Sequence, residues 1–80
     1  MRLDKFLKNS RLIKRRTVAK EACEQGRVKI NDKLAKPSSI VNINDNISIT
    51  YGERESVIKV LELLDHVTKE TSKTMYEVIK

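Results

Sequence analysis

Leu3, Phe6 and Leu7 recur at helical spacing with charged residues between them, which predicts a short amphipathic helix from about Leu3 to Lys8. Asn9 and Ser10 break the pattern, and Leu12 and Ile13 supply apolar bulk in the connection that follows. A second helical pattern runs from about Lys14 to Gln25. Val18 with Ala22, and Ala19 with Cys23, are i, i+4 pairs expected on one side of it. Gly26 stands where a helix-terminating residue with positive φ is needed. The period then shifts to two. Val28 and Ile30 alternate with Arg27 and Lys29 as a half-buried strand, Asn31-Asp32 offers turn chemistry, and Leu34-Ala35 makes a short return strand ending near Pro37. After Asn44-Asp45-Asn46, the residues Ile47, Ile49 and Tyr51 alternate as a further strand that stops at Gly52.

Ser56–Leu61 reads better as strand than as helix, because Val57, Ile58 and Val60 are β-branched. A short helix is expected around Thr71–Ile79, with Met75, Val78 and Ile79 facing inward. The fold class is therefore α+β: two short N-terminal helices on a small, mostly antiparallel sheet. Residues 1–52 form the main unit, and residues 53–80 are an extension packed on the same single domain.

Composition sharpens this. With 80 residues and 39% apolar content, the chain supports one small core, built of aliphatics because only Phe6, Tyr51 and Tyr76 are aromatic. Such a body leaves little room for a water-excluding catalytic cleft. The net charge of +6 is unevenly placed. Residues 1–36 carry twelve Lys/Arg against four Asp/Glu, a net +8, while residues 37–80 carry five against seven, a net −2. That asymmetry suits one face meeting a polyanion. The single cysteine, Cys23, excludes an intrachain disulfide and a multi-cysteine zinc site, and a free thiol fits a reducing, cytoplasmic setting. No run approaches the roughly 20 apolar residues that span a bilayer, so no membrane partner is expected.

The candidate chemistry is cationic. Arg16 and Lys20 share one side of the second helix, and Lys14, Arg15 and Arg16 gather at its N-terminus, where free backbone N–H groups also attract phosphate. Arg2 and Lys5 open the first helix, and Arg11 lies in the connection. Arginine suits a site that must meet two phosphate oxygens or stack on an exposed base. Asp4 is the acidic exception. It is read three ways: as a first-turn carboxylate, as a partner fixing Arg2 or Arg16, or as an acceptor for a base or 2′-hydroxyl. Lys36 either reaches phosphate from the hairpin or is simply exposed. Cys23 is expected in the core. His66, the only histidine, has no cluster of ligands to make a metal site, and no cofactor is expected.

Arg2-Leu3-Asp4-Lys5-Phe6-Leu7, Arg16-Thr17-x-Ala19, Gly26-x-Val28-x-Ile30-Asn31 and Asp45-x-Ile47 occur in an order that resembles the S4 RNA-binding domain, over roughly residues 1–50. Asn31-Asp32 and Asn44-Asp45 replace that family's frequent Asn-Gly and Gly-Asp. The opening RLDKFL, the following SRLIKRRT and the final MYEVIK make the chain similar to the stand-alone S4 factors of bacterial ribosome-associated quality control, which are related to a ribosome-associated heat-shock protein. The resemblance implies the S4-type (alpha-L) fold and a non-catalytic role. Its implied partners are large-subunit ribosomal RNA, tRNA, a large subunit with a stalled nascent chain, and a factor that adds a C-terminal tail to that chain. It places Asp4 in the RNA-facing group. Two other readings stand beside it: heat-shock-type recognition of abortive large subunits without tailing, and a protein-interaction adaptor using Val57–Leu64 and the terminal segment. A monomer is expected.

Overall fold

A computed structural model describes residues 1–80. Helix α1 spans Leu3–Asn9 and α2 spans Arg16–Glu24. The strands are β1 Val28–Ile30, β2 Lys33–Leu34, β3 Asn46–Tyr51, β4 Arg54–Val60 and β5 Tyr76–Val78, with a 3₁₀ helix over Thr71–Met75 leading into β5. The strands form one antiparallel sheet in the order β2-β1-β3-β4-β5. This is the expected α+β architecture.

The core lies between the helices and one face of the sheet. Leu3, Phe6 and Leu7 of α1 are fully buried, and Ile47, Ile49, Ile58 and Val60 meet them from β3 and β4. Each such burial contributes roughly 1.5–3 kcal/mol. Ala19, Ala22 and Cys23 form the inward stripe of α2, and small side chains there let the helix approach closely. Cys23 is thus a core residue, as expected. Val18 is not: it is 43% exposed, because the inward stripe of this nine-residue helix runs through Ala19 and Val18 falls on its flank.

Chain reversals are set by backbone sign. Gly26 (φ +73°) ends α2 in a Schellman arrangement, its N–H donating to Cys23 O and the next N–H, of Arg27, to Ala22 O. Asn31 and Asp32 both take positive φ, 50° and 68°, as a type I′ hairpin turn requires. Asn31 compensates with its side chain, whose Nδ2 donates to Asp45 Oδ1 at 3.1 Å while its Oδ1 accepts from the Asn46 N–H at 2.9 Å. Asp45 Oδ2 in turn accepts from the Asn42 N–H, so one polar clamp fixes two turns.

The C-terminal segment departs from expectation. The helix stops at Met75, and Tyr76 turns extended (φ −148°, ψ 163°). The chain then pairs with the free edge of β4, Ile58 opposite Val78 and Val60 opposite Tyr76. Ladder hydrogen bonds along that edge outweigh the local helical pattern. Met75 faces inward and is fully buried, but Val78 and Ile79 lie at the sheet rim, 65% and 54% exposed.

Candidate nucleic-acid interface

The centre of the basic face is an acid. Asp4 sits in the first turn of α1 and is 3% exposed. Its Oδ2 accepts from Arg2 Nη2 and its Oδ1 from Arg16 Nη2, each at 3.2 Å, and Oδ1 also accepts from the Lys5 backbone N–H at 2.8 Å. Both arginine side chains remain about half exposed, at 50% and 48%. One buried carboxylate therefore ties Arg2, before α1, to Arg16, at the start of α2, and leaves each guanidinium with unspent donors facing solvent. Of the three readings of Asp4, pairing with the arginines describes the geometry, and it engages both of them. The backbone holds Arg2 as well, through a bridge to Ile40, while the Leu3 N–H donates to Ser39 O.

Other cations divide into groups. Lys20 and Lys36 border, with Arg2, an open groove between α2 and the segment after β2. Arg11 and Lys14 lie apart from it, joined by Lys8 and Val67 around a second depression. Lys8 was not singled out in the sequence; its spacing of three from Arg11 was the available signal. Arg11 has φ +63° directly after the α1 C-cap, a position that glycine ordinarily fills. Arg15 is the exposed N-cap residue of α2, and no side chain caps that helix end, so its first N–H groups face solvent beside Lys14, Arg15 and Arg16. Lys5 turns elsewhere: its Nζ donates to Asp65 Oδ1 at 2.8 Å. That hydrogen bond, reinforced by the lysine charge, holds the exposed Asp65 carboxyl below the usual carboxylate range. The ion pair is accordingly intact at neutral pH and is lost only as pH falls through that lowered value. Asn9, buried in α1, supports the same junction by donating to Leu64 O and Asp65 O.

Cys23 borders the groove floor, but burial pushes its thiol up to about 11, with the Asp4 and Glu24 charges adding to the rise, so it stays protonated at neutral pH. No group of three or more His, Cys, Asp or Glu side chains converges. No helix is long and apolar enough to cross a membrane.

The S4 domain family model matches residues 1–47. The RQC P-site tRNA stabilizing factor of Streptococcus pneumoniae is 52% identical over 99% of this chain and 90% of its own length. The protein of the same name from Bacillus subtilis is 50% identical over 100% of this chain and 93% of its own. Among solved structures, heat shock protein 15 of Vibrio cholerae, described as trimeric, superposes with a TM-score of 0.90 at 31% identity, covering 99% of this chain and 81% of that one. The chain belongs to the S4-domain family, within the group of RQC P-site tRNA stabilizing factors.

Proposed function

We propose that the protein is a non-catalytic RNA clamp of the cytoplasm, which binds large ribosomal subunits carrying a stalled peptidyl-tRNA. It contacts large-subunit ribosomal RNA and the tRNA, and it supports addition of a C-terminal tail to the stalled peptide by a partner factor. The observation that carries this reading is the Arg2–Asp4–Arg16 bridge. Two guanidiniums held side by side on a buried carboxylate meet phosphates with little loss of side-chain entropy on binding. The uncapped start of α2 adds backbone donors beside them. Lys20 and Lys36 extend the surface along the groove, while Arg11, Lys14 and Lys8 offer a second patch. Two patches suit two RNA segments, one ribosomal and one of tRNA. The names of the relatives, which refer to a tRNA in the P site, support the second of these. Lys5 stays paired with Asp65 until RNA competes for it. The protein acts as a monomer.

Arg16→Ala and Arg2→Ala are each expected to abolish co-sedimentation with large subunits while leaving the circular dichroism spectrum unchanged. Wild-type co-sedimentation by either variant would show that the clamp is misassigned. The likeness to heat shock protein 15 favours a second reading, recognition of abortive large subunits without tailing. Co-purification of a tailing factor with the tagged protein separates the two.

A further inference from the structure

The groove beside the arginine bridge has a volume of about 690 Å³, within the roughly 300–1,000 Å³ of small-molecule sites. Its chemistry exceeds what a phosphate backbone needs. Arg2, Lys20 and Lys36 are cationic, but Leu34 and Pro37 supply apolar surface, and Glu24 brings a carboxylate. Leu34 is 68% exposed at the edge of the sheet, and its side chain reaches over the end of α2 at Gly26. Glu24 makes no ion pair, although cations line the same groove.

We infer that this groove receives a single unstacked guanine nucleotide from a bulge or loop of the bound RNA. The inference rests on the reading of the chain as an RNA binder. Sequence-specific RNA recognition works on bases freed from the helix, whose planes pack on side chains and whose Watson–Crick edges exchange hydrogen bonds with them. Here the base plane lies on Leu34 and Pro37. The flanking phosphates lie against Lys20, Lys36 and the outer donors of Arg2. Glu24 then decides which base fits. A carboxylate beside phosphates is repelled, so its presence is useful only if it accepts hydrogen bonds from the base. Guanine alone offers two parallel donors, N1–H and the N2 amine, to the two carboxylate oxygens. Adenine and cytosine present one amine beside an acceptor, and uracil presents one N–H between two carbonyls. In all three, the neighbouring acceptor repels the second oxygen.

The test uses the full chain and synthetic RNA hairpins with one bulged nucleotide (G, A, C or U), beside the same hairpin fully paired. Wild-type protein is expected to bind bulged G about tenfold more tightly than the other bulges or the paired stem, the discrimination usual for a bidentate base contact. Glu24→Gln, which offers one acceptor and one mismatched donor, is expected to erase the preference for G while retaining affinity for the paired stem. Leu34→Ala is expected to weaken all bulged hairpins by about threefold to tenfold and the paired stem not at all. Both side chains are exposed, so neither change threatens the fold. Equal binding of bulged and paired RNA by wild type, or retention of the G preference by Glu24→Gln, overturns the inference. If Arg16→Ala still weakens every hairpin in that case, the RNA-clamp reading stands and only the guanine site falls. If Arg16→Ala changes nothing, both fall.

Discussion

Asp4 and Arg11 link the basic face to the fold in opposite senses, the first by pairing within it and the second by holding a strained backbone. Asp4 is a buried carboxylate whose charge is balanced by two half-exposed arginines. In Asp4→Asn the amide keeps the volume but supplies one acceptor oxygen and no charge, so one guanidinium loses its anchor. The fold should lose about 1–2 kcal/mol, less than for a fully buried pair because both arginines can turn to water. Affinity for structured RNA should fall together with it, and urea denaturation beside a binding titration reads both. Undiminished affinity would mean that the bridge does not organise the arginines for RNA. Arg11 holds φ +63° where glycine would be unstrained. Arg11→Gly is therefore expected to raise stability by about 0.5–1 kcal/mol, offset in part by the freer unfolded chain, while weakening RNA binding through loss of a cation. A thermal melt that shifts down would sink the strain argument. That Arg16 and Lys20 share one side of α2 was legible from their spacing of four. The left-handed conformation of Arg11 was not, because arginine carries no local preference for it. The two-sided pairing of Asp4 needed the tertiary approach of α1 and α2.

Elements followed the hydrophobic period wherever apolar positions were dense. Both helices lie close to their expected bounds, β1 and β3 carry the alternation that predicted them, and β4 carries the β-branched run that predicted it. The hairpin tip is more instructive, since Asn31-Asp32 lacks the glycine that usually permits two positive φ values. Its stability comes from the Asn31 side chain, which binds Asp45 and the Asn46 backbone across the sheet. Spacing alone does not reveal that clamp, because its members are 14 and 15 residues apart. Asn31→Ala deletes both hydrogen bonds and puts a poorer residue in the left-handed region, so a loss of about 2 kcal/mol is expected. Asp32→Ala, with no such bonds to lose, should cost less. Equal losses in chemical denaturation would show that backbone strain alone governs the turn. The tail leaves its helical pattern after Met75 for a related reason. Thr71–Ile79 has the residues of a short helix, yet β4 presents an unpaired edge that only the folded sheet creates.

The molecule as a whole joins a cationic N-terminal half to a weakly acidic C-terminal half, and the join is structural as well as electrostatic. The match to the S4 domain ends at residue 47, yet β4 and β5 lie beyond it in the same sheet. Ile58, Val60 and Met75 are each at most 1% exposed and belong to the same cluster as Leu3, Phe6 and Leu7. Asn9 of α1 spends its amide on the carbonyls of Leu64 and Asp65, and Lys5 pairs with Asp65. A chain cut after Gly52 would expose the inner face of β3 and one side of α1, leaving three large side chains' worth of core unfilled. Each would cost about 2–5 kcal/mol if removed singly, against a total stability of roughly 5–15 kcal/mol for a domain. The fragment 1–52 is therefore expected to be unfolded, with a collapsed amide dispersion in its NMR spectrum. It should bind RNA only weakly and without dependence on Arg16, because the Arg2–Asp4–Arg16 bridge needs both helices held in place. A well-dispersed fragment that binds RNA as the full chain does would reverse this. It would make residues 53–80 a separable adaptor surface rather than part of the scaffold that sets the arginines.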